Sequence, residues 1–148
     1  MEKVVEIKQT VFLDDVYQDA RLIRKAVFIK EQGIDEQAEF DGTDDQATHY
    51  VAYENHQPVA TARVTVTNKG VHVQRVATLK NFRHKGYAKA LLENILRDPK
   101  YADEPAFYLG AQETAKGFYE KLGFKQYGKP FMEVGIRHVK MKCAKQSG

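Results

Sequence analysis

The chain has 148 residues, which predicts a single domain over 1–148 with enough chain to bury a core. A composition of 43% hydrophobic residues with eight Tyr and eight Phe is that of a folded protein, and the net charge of +3 is too small to indicate a nucleic-acid partner. The N-terminus lacks the apolar run of a signal peptide and no stretch approaches the ~20 apolar residues that span a bilayer, so we expect a cytoplasmic protein with no membrane partner.

The first part of the chain predicts a strand followed by a long helix. Val4–Val11 is rich in β-branched residues, which favours a strand. Either Asp14 or Asp15 can cap a helix that ends at Gly33, because apolar residues then recur at spacings of 4, 3 and 4. These apolar residues are Val16, Ala20, Ile23 and Val27. The acidic segment from Asp35 to Gln46 has no clear period and predicts a loop with room for a short helix.

Three strands follow in close order, and then the period changes. His49–Glu54, Val59–Thr67 and Val71–Leu79 are separated by turn residues and predict an antiparallel meander. Apolar residues from Tyr87 to Leu96 then form a wide helical stripe that stops before Pro99.

The last part of the chain predicts one more helix between short strands. Ala106–Leu109 is a short apolar strand, and a second helical stripe from Ala115 to Leu122 is closed by Gly123. Phe124–Tyr127 and Val134–Lys142 are the final strands. The order β-α-β-β-β-α-β-α-β-β predicts a mixed α/β fold.

Charge is distributed unevenly along the chain. Residues 31–54 contain eight acidic residues and no Lys or Arg, whereas residues 55–92 contain seven Lys or Arg and no acid. Two interpretations are open: solvated faces that neutralise each other in the fold, or one region that attracts cations beside another that attracts anions.

The junction between the third meander strand and the next helix favours anion binding. Backbone N–H groups at a helix start lack partners within the helix and lie at the positive end of its dipole. Gly86 stands at this start without a Cβ, and Arg83 and Lys85 add positive charge beside it. No GxxxxGK[ST] or GxGxxG motif is present, so this junction alone is equally consistent with an ordinary strand–helix connection.

Two segments resemble motifs of a known family. The first is Gln74-Arg75-Val76-Ala77-Thr78 followed by Arg83-x-x-Gly86-x-Ala88, and the second, 27 residues further on, is Ala115-x-x-Phe118-Tyr119-Glu120-Lys121-Leu122-Gly123-Phe124. They resemble the acyl-CoA signature and the last helix and strand of the GNAT superfamily of N-acetyltransferases. The resemblance implies an α/β GNAT-like fold, in which helices flank a mixed, mostly antiparallel sheet with a splayed parallel strand pair.

The resemblance also implies how acetyl-CoA would bind. The strand that ends near Thr78 would splay from Ala106–Leu109, and the pantetheine arm would lie in the gap. Gln112 stands where the family often has Asn, and its longer amide would contact that arm. The implied acetyl-CoA-binding residues are Val76, Ala77, Thr78, Arg83, His84, Lys85, Gly86, Tyr87, Ala88 and Gln112.

Two residues are implied as catalytic. The apolar stripe alone favours a core tyrosine at Tyr119, but its sequence context matches the family tyrosine that protonates the leaving thiolate. His72 occupies a position at which several family members carry the base for the incoming amine. Strand alternation predicts that His72, Gln74, Val76 and Thr78 share one face.

The acidic segment is the implied acceptor side. Glu39, Asp41 and His49 are candidate acceptor-binding residues and rivals of His72 for the role of base, and the negative charge of the segment would favour a cationic amine. Together with Gln32, Phe40 and the segment 135–139, these residues resemble a small, mostly bacterial GNAT subgroup of undefined substrate.

The leading hypothesis is an acetyl-CoA-dependent N-acetyltransferase that acylates a primary amine of a small molecule or peptide by direct transfer in a ternary complex. Two alternatives are a non-catalytic acyl-CoA-binding module and a polyanion-binding module that uses Lys80 to Lys89. The five histidines contain no HxxxH pair and cysteine occurs once, so we expect no metal site. Edge strands in this fold often pair, which is compatible with a homodimer.

Overall fold

Residues 4–144 contain a seven-stranded sheet with the strand order β1-β2-β3-β4-β5-β7-β6. The computed structural model describes residues 4–144. All neighbouring strands are antiparallel except β4 and β5. The strands are β1 Val5–Thr10, β2 Thr48–Glu54, β3 Gln57–Thr67, β4 Gly70–Thr78, β5 Ala106–Gln112, β6 Lys125–Glu133 and β7 Ile136–Ala144.

Within the described residues, four α-helices connect the strands: α1 Asp15–Arg24, α2 Glu36–Glu39, α3 Tyr87–Leu96 and α4 Lys116–Lys121. The Asp14 carboxylate accepts a hydrogen bond from the Tyr17 N–H and caps α1. A π-helical segment, Lys25–Glu31, continues α1 until Gly33 turns the chain with a φ of +72°. None of the described helices is long and apolar enough to cross a membrane.

Each face of the sheet carries its own apolar core. Tyr50 and Ala52 of β2 pack with α3 and α4 on one face, whereas Val51 and Tyr53 pack with α1 on the other. This alternation along one strand follows from the two-residue period of β structure. We call these faces the α3 face and the α1 face.

The predicted order of elements is confirmed, and the differences lie at the ends of elements. β5 continues three residues beyond Leu109, because each residue from Ala106 to Gln112 pairs with β7. β6 extends beyond Tyr127 for a similar reason, although its register shifts between Tyr127 and Phe131. Strand pairing between distant segments thus lengthens strands whose own sequence shows only a short apolar run.

β4 and β5 separate almost as soon as they meet. Only Val71 with Phe107 and His72 with Tyr108 are paired in the described structure, so the two strands diverge beyond these pairs. The predicted splayed parallel pair is therefore present. It divides the sheet into a larger part, β1 to β4, and a smaller part, β5 to β7.

A β-bulge in β4 contradicts the predicted alternation. Arg75 has a φ of +52°, and Arg75 and Val76 together oppose the single residue Ala62 of β3. The extra residue shifts the alternation of side chains by one position. Val76 therefore packs on the α3 face and Ala77 on the α1 face. The expectation that His72 and Val76 share a face is wrong for this reason.

A buried ion-pair network attaches the acidic segment to the α1 face. Arg24 is 1% exposed and holds Glu39 through Nε at 2.7 Å and Asp44 through Nη1 at 3.0 Å. Arg63 of β3 holds Asp44 at 2.8 Å, and the Arg75 Nε lies 3.0 Å from the Glu39 carboxylate. The sequence left open either a solvated face or a region that attracts cations. Glu39 and Asp44 fit neither interpretation, because buried arginines neutralise them.

We expect substitution of Arg24 by Met to lower the free energy of unfolding by about 3–5 kcal/mol, because Glu39 and Asp44 would lose a buried counter-charge. Arg97→Met is the matched control. Arg97 is exposed and its pair with Glu93 spans 3.6 Å on the helix surface, so the loss should not exceed about 0.5 kcal/mol. Urea denaturation of both variants measures this, and equal losses would contradict a structural role for the network.

Candidate active site

A cavity of about 480 Å³ opens where β4 and β5 diverge. Its walls come from both faces of the sheet. His72 and His138 line it on the α1 face, and Tyr119 of α4 lines it from the α3 face. The gap therefore connects the two faces through the middle of the sheet.

The start of α3 follows the end of β4, with the 3-10 turn Lys80–Phe82 between them, and none of the described residues 77–88 lines the cavity. Gly86 precedes the helix with a φ of +86°, and His84 has a φ of +62°. A Cβ on Gly86 would meet no atom within 4 Å, so backbone conformation rather than crowding requires glycine here. Tyr87 and Ala88 form the first turn of the helix, whose leading N–H groups have no carbonyl partner within a helix.

The basic side chains of this loop have different roles. Arg83 makes two 2.6 Å hydrogen bonds to the Glu31 carboxylate and one from Nε to the Thr78 carbonyl. This bonding to Glu31 raises the pKa of Arg83 and ties the loop to the end of the π-helical segment. The Lys85 ammonium lies 5.5 Å from the Phe82 ring centroid, where it remains near the helix start.

Tyr119 is 7% exposed and lines the cavity. Its ring packs edge-on against Phe118 and Phe124, with centroids 5.0 and 5.9 Å away. Within residues 4–144 its hydroxyl has no hydrogen-bond partner. Burial raises its pKa, so the phenol stays protonated at neutral pH.

His72 stacks on Tyr108, its partner in β5, with ring centroids 4.6 Å apart. Burial lowers the pKa of His72 to about 4, and the positive charges of Arg63, Arg75 and Lys69 act in the same direction. The imidazole is therefore neutral at physiological pH and binds a proton weakly.

Of the three candidate acceptor residues, one lines the cavity and two do not. Glu39 lines the cavity but is 3% exposed and held by arginines. In the described structure neither Asp41 nor His49 lines the cavity. The Asp41 carboxylate accepts hydrogen bonds from Thr43, which lower its pKa, and His49 is buried with its Nε2 donating to the Asp44 carbonyl at 2.9 Å.

Gln112 meets a residue from the other part of the molecule. Its Nε2 donates to the Gln32 Oε1 at 2.9 Å, and both amides line the cavity. This contact links the end of β5 to the residue that follows the π-helical segment. A ligand that enters the gap would compete for the hydrogen bonds of these amide groups.

Sequence reasoning missed the wall formed by β5, β6 and β7. Phe131 and His138 line the cavity, and a Cβ on Gly110 would lie 3.1 Å from the Phe131 ring. A glycine within an otherwise apolar strand is a usable signal of close approach by another group. The partner could not be named, because the register of β5 with β7 and β6 is set by long-range pairing.

No group of three or more His, Cys, Asp or Glu side chains suited to a metal ion occurs among the described residues.

Comparisons with known proteins agree with this geometry. Residues 10–145 match the family model described as an acetyltransferase (GNAT) domain. A Bacillus subtilis (strain 168) protein provisionally named an acetyltransferase is 41% identical over 122 residues, which span 80% of this chain and 83% of that protein. Escherichia coli ElaA superposes with a TM-score of 0.83 at 26% identity, covering 95% of this chain and 99% of that chain. An acyl-CoA N-acyltransferase from Pseudomonas aeruginosa gives 0.82 at 26% identity, covering 97% and 100%.

The low pKa of His72 predicts a pH-dependent loss of stability. Between the unfolded value of 6.5 and about 4, the unfolded chain takes up a proton that the native His72 does not, so stability falls as pH decreases. At pH 4.5 this amounts to roughly 2 to 3 kcal/mol. Urea denaturation at pH 7 and pH 4.5 should therefore show a smaller loss for His72→Gln than for the wild type. Parallel losses would contradict the shifted pKa.

Proposed function

Because the chain belongs to the GNAT acetyltransferase family, we propose that it transfers an acetyl group from acetyl-CoA to a primary amine by direct transfer in a ternary complex. Family membership makes it an acyltransferase, and GNAT acetyltransferases use acetyl-CoA or CoA. The acceptor belongs to a small molecule or a peptide in this proposal.

The gap between β4 and β5 is the observation that carries the proposal. Beyond His72 and Tyr108 the facing edges of the two strands do not pair with each other in the described structure. Such edges are able to bind an extended amide-containing chain in the way that a sheet binds an added strand. The pantetheine arm has this character, which fits Val76, Ala77 and Thr78 on one side and Gln112 on the other.

The α3 start fits the pyrophosphate. The backbone from Arg83 to Ala88, which includes His84 and Tyr87, bends through two positive φ angles at the start of α3, and we propose that its free amides bind the pyrophosphate. Lys85 adds a cation there. The Arg83 guanidinium is already held by Glu31, so we propose that Arg83 fixes the loop and contributes mainly through its backbone.

Bound acetyl-CoA supplies the acetyl group as a thioester. We propose that Tyr119 donates its hydroxyl proton to the departing thiolate. Burial raises the pKa of this phenol and keeps it protonated, and Tyr119 lines the cavity from the α3 face, opposite the α1 face on which we place the acceptor. Acid and acceptor would thus approach the thioester from opposite sides of the sheet.

The family resemblance implies that His72 is the base. It lies on the acceptor side of the cavity with a neutral imidazole, which supports contact with the amine. Its low affinity for a proton limits it as the group that deprotonates an ammonium. Glu39, Asp41 and His49 are held in the ion-pair network or beside it, so we propose that they shape the acceptor side rather than bind the amine directly.

Direct transfer is supported by the placement of the single cysteine. Cys143 is 5% exposed within the core of the α3 face and does not line the cavity. Burial raises the pKa of its thiol, which disfavours the reactive thiolate. An acetyl-cysteine intermediate therefore has no support from its position.

Gly86→Val should weaken acetyl-CoA binding at least about tenfold, because a β-branched residue at positive φ shifts the amides of the loop. Gly42→Val is the matched control, since Gly42 has a φ of +88° and equally open surroundings but lies in the acidic segment. Calorimetric titration of acetyl-CoA, with ADP as a second titrant, measures both. The same affinity in the two variants would refute the assignment of this loop.

Tyr119→Phe should lower kcat by about 10²-fold or more and leave the Kd for acetyl-CoA nearly unchanged, because only the donated proton is lost. Tyr53→Phe removes the hydroxyl of another buried tyrosine, one that bonds Asp19 outside the cavity, and should leave kcat unchanged. Steady-state kinetics with an amine found by screening provides the measurement. Full activity in Tyr119→Phe would remove Tyr119 from the mechanism.

A further inference from the structure

We propose that His138 is the base that removes the proton from the acceptor ammonium, and that Glu133 stabilises the imidazolium so formed. The proposal rests on the proposed function, because it assigns one step of that transfer. It replaces the base hypothesis for His72 with a residue on the opposite wall of the same cavity.

Strand register places His138 on the acceptor side. It pairs with Gln112 of β5 and with Phe131 of β6, and directly paired residues share a face. The flanking residue Val139 belongs to the core of the α3 face, so His138 points to the α1 face. It is 7% exposed and lines the cavity.

A backbone contact fixes which nitrogen of the ring is basic. His138 Nδ1 lies 2.7 Å from the Ile136 carbonyl oxygen. A carbonyl oxygen only accepts hydrogen bonds, so Nδ1 must carry a proton. In the neutral ring the lone pair is consequently on Nε2, which is the nitrogen able to accept a proton.

A carboxylate stands next to that nitrogen. Glu133 Oε2 lies 3.9 Å from His138 Nε2. At this distance the carboxylate offers no benefit to a neutral ring but attracts the imidazolium that proton uptake creates. Glu133 is 58% exposed, so the proton also has a way out to solvent.

The aromatic wall holds the ring in position. Phe131 stacks on His138 with centroids 5.5 Å apart and planes 29° apart. The Phe131 ring reaches over Gly110, where any Cβ would lie only 3.1 Å away. A side chain at position 110 would push this ring, and with it the histidine, from its place.

His72, the other histidine of the cavity, lacks these features. Its ring has no hydrogen bond to any described residue, so nothing fixes its tautomer. Three cations oppose the protonation of His72, whereas the charged group next to His138 is the Glu133 carboxylate. His138 faces Glu133 from β6, and the other titratable or charged groups that line the cavity are Lys140, Lys69, His72, Arg75, Glu39, Tyr108, Tyr119 and Tyr127.

The proton balance of the transfer closes with these groups. The ammonium gives one proton to His138 Nε2, which later releases it to solvent. The freed amine forms the C–N bond as the C–S bond breaks, and the electron pair of that bond stays on sulfur. Tyr119 protonates the thiolate, and the second proton of the nitrogen passes through solvent to restore the phenol. The net products are the amide, the thiol and one proton.

The test uses His138→Asn, whose amide N–H is able to keep the bond to the Ile136 carbonyl while the base is lost. We expect kcat/KM at pH 7 to fall about 10²-fold. The rate of the variant should then rise about tenfold per pH unit until the acceptor amine itself loses its proton. The defect should therefore be larger for the side-chain amine of Nα-acetyl-lysine amide than for the α-amino group of dialanine, whose pKa values are about 10.4 and 8.

His56→Asn is the matched control, because His56 is exposed, lies outside the cavity and has a φ of +69° that Asn tolerates. It should behave as the wild type. Glu133→Gln should lower the rate by a smaller factor, about three- to tenfold. A defect in His138→Asn that is the same at every pH and for both amines would overturn the assignment, since it would indicate a structural role.

Two further readouts separate this proposal from the proposed function. Calorimetry should give His138→Asn the wild-type affinity for acetyl-CoA, and absence of binding by the wild type would refute the proposed function instead. Nitrogen-15 NMR of the wild type should show the neutral His138 ring with its proton on Nδ1. A proton on Nε2 at the assay pH would overturn the assignment of the base whatever the turnover.

Discussion

The separation of β4 from β5 is the constraint on which the rest of the structure depends. Two residue pairs hold the larger and the smaller part of the sheet side by side, and beyond them the strands leave backbone edges in the middle of the protein. Buried backbone groups without partners destabilise a fold. An extended amide-rich ligand, as proposed above, would supply hydrogen-bond partners for these strand edges.

The acidic segment is largely tied into ion pairs within the protein. The acidic segment does not present a free negative field, because Arg24, Arg63 and Arg75 neutralise Glu39 and Asp44 in a buried network. Although burial opposes it, hydrogen bonds from Tyr17 and Arg63 and the charge of Arg24 hold the pKa of Asp44 at about 2. The network fixes Glu39 in the wall of the cavity, and the positive charges of Arg63 and Arg75 help to lower the pKa of His72.

Sequence periodicity and the two family motifs were sufficient for the order of the elements, the splayed strand pair and the positions of Gly86 and Tyr119. Features created by distant residues were not predictable. The bulge depends on a positive φ at Arg75, an arginine that carries no turn signal. The burial of Glu39 depends on an arginine 15 positions earlier, and the place of His138 depends on the register of three strands. Local patterns report local geometry, whereas these features arise from tertiary contacts.

Hydrogen–deuterium exchange with and without acetyl-CoA tests the central claim most directly, because it reads the backbone edges themselves. If the ligand completes the open sheet, acetyl-CoA will slow exchange of the amides at 76–78 and at 84–88. ADP lacks the pantetheine arm and will slow only the loop at 84–88. Unchanged exchange at 76–78 with saturating acetyl-CoA, or equal protection by ADP, would contradict the claim that the gap between β4 and β5 holds the acetyl donor.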